Sequence, residues 1–191
     1  DIDFAGGKAA NLGELVTAGF PVPSGCVLTT DAYRAFVAAN RLEERILKLA
    51  AAPPEESAEA AGSIAALFAA GLIPGEMARE LREAYKGLGT GNGEGVPVAV
   101  RSSATAEDLA EASFAGQQET YLNVIGADDL LDAVRECWAS LWTERAMSYR
   151  TRAGIAPQDV ALAVVIQVMV DADAAGVMFT ANPASGNRGE I

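Results

Sequence analysis

The stretch Val98-Ala-Val-Arg101-Ser-Ser-Ala-Thr-Ala-Glu-Asp-Leu109, with Ala112-Ser-Phe-Ala-Gly116-Gln-Gln-Glu-Thr-Tyr-Leu-Asn123 close behind it, decides the reading of this chain. A short apolar run with strand character ends on an arginine and gives way to hydroxyls, small residues and an Ala-Gly loop. Arg101 is the only basic residue between Lys86 and Arg135. A guanidinium at a strand end, beside Ser102 and Ser103, suits a planar two-point grip on a phosphate. The same residues also describe an ordinary strand with a surface arginine and a polar turn, and chemistry by itself leaves both readings open.

Outward from this stretch, Val96 to Val100 reads as one strand and Glu119 to Val124 as another, flanking the Ser-Phe-Ala-Gly loop. Asp128 and Asp129 open a long helix with Leu131, Val134, Trp138, Leu141 and Trp142 on one side. Its basic residues, Arg145, Arg150 and Arg152, lie near the end, as the helix dipole prefers, and Gly154 caps it. Ala161 to Val170 is a nearly unbroken apolar run, hence a strand buried on both faces. Ala175 to Thr180 reads as its hairpin partner or neighbour. On the N-terminal side, Gly6-Gly7 is a turn into a helix through Leu12, Leu15 and Val16, followed by the extended Pro21-Val-Pro23 and a short strand at Cys26 to Thr29. Thr30 is placed to cap a helix using Tyr33, Phe36 and Val37. From about Arg41 to Leu88 the periodicity is helical throughout, and Gly87 to Gly95 is a glycine-rich loop. Helices first, then strands around a long helix, predicts an α+β fold.

Composition narrows the function. The 191 residues are 50% hydrophobic and carry 14 basic and 26 acidic side chains, a net charge of -12. Such a chain can bury a core but offers no basic field for nucleic acid or an anionic membrane. Any phosphate site must therefore consist of a few placed cations and amides. Cys26 and Cys137 sit in apolar surroundings without metal-ligand spacing, so two free thiols in a reducing, cytoplasmic setting are expected. No signal peptide is visible, and Val160 to Val170 is too short to span a bilayer. The abrupt ends read as those of a piece of a longer polypeptide.

Two further residues stand out. Lys8 follows two glycines at a helix mouth, where an anion would meet both an ammonium and free amides. Gln167 is the one strongly polar side chain inside the apolar run, and a buried amide left unbonded costs about 1–3 kcal/mol. Bonding to nearby backbone and reading a nucleoside are both open to it. Glu107 and Asp108 are adjacent, face opposite ways on a strand, and receive no catalytic role.

The Arg101 and Gly116 words, together with Gly6-Gly-Lys-Ala-Ala-Asn-Leu-Gly-Glu14, Cys137-Trp-Ala-Ser-Leu-Trp-Thr-Glu-Arg-Ala146 and Ala175-Gly-Val-Met-Phe-Thr-Ala-Asn-Pro183, resemble the nucleotide-binding domain of the phosphoenolpyruvate synthase, pyruvate phosphate dikinase and rifampicin phosphotransferase family. The resemblance implies that residues 1–191 form the N-terminal portion of an ATP-grasp domain, with a helical section at about 41–88. It implies an ATP-dependent phosphotransferase in which phosphate passes from ATP to a histidine in another domain, and then to pyruvate or another hydroxyl or enol acceptor. On this resemblance Lys8 and Arg101 are the catalytic, phosphate-holding residues, Gly116 lies in a loop over the phosphates, and Thr120 and Gln167 contact ATP. Magnesium is implied as well, with its ligands beyond the end of this chain. The partners implied are ATP and the phosphohistidine and substrate domains of one parent polypeptide, without which this chain is expected to be inactive. Val164-Val-Ile-Gln-Val-Met169 and Thr180-Ala-Asn-Pro lean towards the rifampicin phosphotransferase branch. The alternative from another class is a non-catalytic module for nucleotide sensing or protein contact.

Overall fold

The computed structural model describes residues 1–89, 95–104, 119–179, 181–182, 185–187 and 189. Gly116, Glu107, Asp108 and Thr180 lie outside the described residues.

Four antiparallel strands form one sheet: β1 (Gly25–Leu28), β2 (Val98–Ala104), β3 (Thr120–Val124) and β4 (Leu162–Val168), in the order β1-β4-β2-β3. The apolar run predicted as a doubly buried strand is β4, and both its neighbours cover its edges. That is why residues 175–179 do not form the expected partner strand: β1 and β2 already occupy the two edges of β4. At β3 the pairing with β2 shifts register between Val98 and Val100, and Asn123 there adopts a left-handed φ of 57°. An extra residue in one strand and a turn-tolerant asparagine account for this bulge.

One face of the sheet is the core. Val98, Val100, Val164 and Ile166 have no exposure and pack under the helices α2 (Thr30–Ala39), α4 (Ser57–Ala70) and α6 (Ala127–Ser140). An aromatic cluster fills the centre, with the Phe36 ring 5.0 Å from Trp138 and 5.6 Å from Phe68. Two further helices, α3 (Glu43–Ala50) and α5 (Gly75–Leu88), bury Ile46, Leu81 and Tyr85 against the same cluster, as the four-residue apolar spacing dictates. The Tyr85 hydroxyl donates to the Val96 carbonyl at 2.8 Å and accepts from the Gly126 amide at 2.9 Å, which ties α5 to the start of β2 and of α6.

The long helix expected after Asp128 is two helices, α6 and α7 (Glu144–Ala153). Thr143 caps α7, its hydroxyl accepting from the Ala146 amide at 3.3 Å. This cap offers the backbone a bond that continued helix would not, and so divides the run. Gly154 ends α7 with φ 68°, as expected. Thr29, not Thr30, occupies the cap position of α2, while the buried Thr30 hydroxyl donates to the Asp3 carbonyl at 2.9 Å. No single helix is long and apolar enough to cross a membrane among the described residues.

Candidate functional site at the helix-covered sheet face

The second face of the sheet is chemically unlike the core. Side chains alternate along a strand, and residues opposite one another in an antiparallel pair share a face. Arg101 in β2 stands opposite Thr120 in β3 and Val165 in β4, while Gln167 in β4 stands opposite Ala99 and Gly25, one row along. Arg101, Thr120 and Gln167 therefore share the face away from the aromatic core, with rows about 7 Å apart along the strands.

Helix α1 (Ile2–Thr17) packs on this face against β2 and β4. It is broken at Gly6, whose φ of 72° and ψ of 168° are outside the helical region. A Cβ at Gly6 would lie 2.2 Å from the Ser103 carbonyl oxygen and 2.4 Å from its hydroxyl. Only glycine satisfies both the left-handed backbone and this approach. The Ser103 hydroxyl closes the break: it donates to the Ala5 carbonyl at 2.8 Å and accepts from the Ala9 amide at 3.2 Å. It thus caps the second part of α1 from a strand 94 residues away. This clasp joins the Gly-Gly-Lys word to the Arg-Ser-Ser word, with Lys8 beside Ala9 and Arg101 two residues from Ser103.

The clasp changes one sequence-based reading. Ser102 and Ser103 are buried, and their hydroxyls are engaged with backbone, Ser102 donating to the Glu119 carbonyl at 3.3 Å. They do not extend the grip of Arg101 on an anion. The Ala9 amide is likewise taken by Ser103, so it is not among the free amides expected beside Lys8. The two serines beside the arginine serve the backbone of the fold. The available signal was the pairing of Gly6-Gly7, which demands a close backbone neighbour, with a small hydroxyl residue on a strand.

Lys8 is half-buried, and its ammonium belongs to the charges acting on the Cys137 thiol, together with Glu119 and Glu136. Burial is the larger influence and pushes that thiol up to about 12, so Cys137 is a neutral core residue. Gln167 is partly buried, and its amide nitrogen donates to the Pro23 carbonyl at 3.2 Å. A carbonyl can only accept, so the amide orientation is fixed and its oxygen is the half left to meet a donor. Thr120 is exposed at the edge strand. Gly116 cannot be placed because it lies outside the described residues.

A groove of about 770 Å³ lies elsewhere, between α4, α6 and β3. Its floor is alanine, and Glu119, Asp132, Glu136 and Glu144 line it. Its arginine, Arg135, is already paired with Asp132. Four acids around one neutralised cation repel a polyphosphate, so the α1 face is the better candidate for anion chemistry. Among the described residues no group of three or more His, Cys, Asp or Glu is arranged to hold a metal ion.

Comparison with known proteins bears on this geometry. Residues 2–191 match the family described as pyruvate phosphate dikinase, AMP/ATP-binding domain. The chain is 45% identical over 231 residues to the phosphoenolpyruvate synthase of Pyrococcus furiosus, covering all of this chain and 28% of that protein. It is 47% identical over 199 residues to the phosphoenolpyruvate synthase of Aeropyrum pernix, covering 100% of this chain and 24% of that protein. A probable phosphoenolpyruvate synthase of Archaeoglobus fulgidus is 46% identical over 192 residues, 98% of this chain and 26% of that protein. The chain thus spans roughly a quarter of the length of these relatives. With a family match over residues 2–191, this chain belongs to the pyruvate phosphate dikinase AMP/ATP-binding domain family.

Proposed function

We propose that residues 1–191 form the N-terminal portion of an ATP-grasp nucleotide-binding domain, in which the α1 face of the sheet holds ATP for a dikinase-type phosphotransfer. The observation that supports this reading is the Ser103 clasp, which holds the Gly-Gly-Lys segment of α1 against the strand that carries Arg101, with Thr120 opposite the arginine. Lys8 supplies a positive charge for the phosphate oxygens. Arg101 supplies a planar fork from a central strand whose position is fixed on both sides by β3 and β4. The Gln167 amide oxygen and the Thr120 hydroxyl orient the nucleoside, and α1 limits water on the covered side. ATP brings the transferable phosphoryl group, and pre-placed donors lower the barrier to its transfer by stabilising charge that gathers on its oxygens.

The chain has no histidine. In this reading the phosphate-carrying histidine and the acceptor site therefore belong to other domains of a parent polypeptide. The names of the relatives favour pyruvate as the acceptor over the rifampicin branch. Magnesium accompanies ATP in this chemistry, and the described residues provide no cluster of three or more His, Cys, Asp or Glu to hold it.

The test is calorimetric titration of ATP into the parent enzyme and into its Lys8→Met and Arg101→Gln variants. Saturable binding that weakens at least tenfold in each variant is expected from loss of a charged contact. Unchanged affinity in both variants would overturn the site. Binding that survives intact in a parent unable to phosphorylate itself would favour a nucleotide-sensing module.

A further inference from the structure

Lys8 follows two glycines directly, and a Gly-Gly pair inside a helix is a loose joint. A lysine carried on such a joint has to be ordered by each incoming ligand, and that ordering is subtracted from affinity. The fold removes the looseness. Gly6 and Gly7 are buried, and one side chain from another element ties the backbone on both sides of them. The Ser103 hydroxyl donates to the Ala5 carbonyl, before the joint, at 2.8 Å and accepts from the Ala9 amide, after it, at 3.2 Å. We propose that Ser103 is a positioning residue for Lys8: acting through the α1 backbone, it sets where the lysine stands relative to Arg101 and thereby the affinity of the site for the phosphates of the nucleotide. This inference rests on the reading of the α1 face as an ATP site.

The bonding of the hydroxyl excludes a direct role. A serine has one proton to donate, and that of Ser103 is committed to Ala5, so it has none for a phosphate oxygen. The side chain is also without exposure. What it can do is hold backbone. The segment before the joint has further anchors, since the Thr30 hydroxyl donates to the Asp3 carbonyl at 2.9 Å and the Asp1 carboxylate accepts from the Asp3 amide at 3.2 Å. These remain if Ser103 is lost, so the loss falls on the lysine side of the joint. Ser103 belongs to the central strand β2, opposite Ala163 and on the same side of the sheet as Arg101. One strand therefore carries the arginine directly and fixes the lysine through a pair of hydrogen bonds. Along this face Gln167 stands opposite Ala99, whereas Ser103 lies two rows further on, beyond Arg101 and about 14 Å away. Its influence is thus confined to the phosphate end and does not reach the amide assigned to the nucleoside.

The test compares ATP with adenosine, titrated calorimetrically into the parent enzyme and its variants. Ser103→Ala should weaken ATP at least about tenfold and adenosine by less than about twofold. In a Lys8→Met background the same substitution should weaken ATP by less than about threefold, because the two residues act as one unit. The control for a merely structural serine is Ser140→Ala, which removes a buried hydroxyl that donates to the Cys137 carbonyl at 2.7 Å. It should lower the thermal midpoint and leave ATP affinity unchanged. Equal losses for ATP and adenosine, additive losses in the double variant, or the same ATP loss in Ser140→Ala would overturn the proposal. Unchanged ATP affinity in Ser103→Ala, with Lys8→Met still weakened, overturns this inference alone. An unaffected Lys8→Met overturns the site reading and this inference with it. Should Ser103→Ala not fold, hydrogen exchange in the wild type decides by reciprocity. Saturating ATP should slow the Ala9 amide at least about fivefold more than the Ala146 amide, which Thr143 caps in the same manner, and equal slowing of the two would overturn the proposal.

Discussion

The two faces of the sheet are built from the same strands and differ in almost everything else. On the core face Val98, Val100, Val164 and Ile166 lie under aromatic helices without exposure. On the other, Arg101, Thr120 and Gln167 lie among small or β-branched neighbours under a helix broken at glycine. Alternation along the strand achieves the separation. Moving β2 by one residue would bury the guanidinium among aromatics and expose the valines, so register is enforced by the cost of burying an unpaired charge. The core face carries the aromatic packing, and the α1 face carries the polar side chains together with the Ser103 clasp that holds α1 on the sheet.

If this division is real, the largest effect should come from truncation on the core face. Phe68 is fully buried and stacks on Phe36 and, at 6.1 Å, on Tyr33. Phe68→Ala should cost about 3–5 kcal/mol in urea unfolding. A loss below about 1 kcal/mol would mean that the core does not carry the fold.

Next in size is the junction between the faces. Gly6→Ala sets a methyl group against the Ser103 backbone and forces a left-handed conformation on alanine. A loss of about 2–4 kcal/mol is expected from strain and overpacking together. Chemical denaturation gives the number, and near wild-type stability would show that α1 can leave the sheet freely.

The third effect lies on the α1 face. Arg101→Lys keeps the charge and loses the fork, so turnover in the parent enzyme should fall by roughly 10²-fold with the thermal midpoint near that of wild type. ATP affinity should fall much less. Steady-state kinetics beside a melting curve separates the two, and normal turnover would sink the phosphate-clamp assignment.

How far this contrast could be read from residues depends on the distance over which each signal acts. The strands, the helical section and the Gly154 cap were legible because periodicity and φ preference are local. Arg101, Thr120 and Gln167 share a face for the same local reason, once pairing is given. The Thr143 cap was legible in principle, but a continuous apolar stripe from Leu131 to Trp142 masked the break. What local pattern could not supply was any bond across long separation. Ser103 looked like part of an anion site because its partners, Ala5 and Ala9, are far away in sequence. Arg150 was legible only as a basic residue near a helix end, because its burial beside Trp142 depends on packing.

Alkaline pH probes the core face again, with a smaller effect. Burial raises Cys137 from 9.0 to about 12 and Tyr33 from 10.0 to about 12. Above pH 9 the unfolded thiol releases its proton while the folded one keeps it, so the unfolded state binds fewer protons and stability falls as pH rises. The contribution is whole below pH 9 and is lost progressively up to about 12, with about 1.4 kcal/mol gone by pH 10 from Cys137. Cys137→Ala should flatten that first part of the slope, and a slope unchanged by the substitution would remove the thiol from the account.

The smallest effect is also the one that best tells the faces apart. Gln167 occupies a strand that is otherwise core, yet its side chain lies on the α1 side and donates to Pro23. Gln167→Leu removes that partly buried bond and should cost about 0.5–1.5 kcal/mol in stability, whatever else the amide does. If the amide oxygen also meets the nucleoside, ATP affinity should fall by roughly tenfold, the value of one net hydrogen bond. If the amide serves only the Pro23 turn, stability drops and affinity stays where it was. Measuring both on the same preparation separates a residue that shapes the β1 entrance from one that reads the ligand. Weaker binding at unchanged stability would contradict the structural half of the assignment, since the Pro23 bond would then be worth nothing.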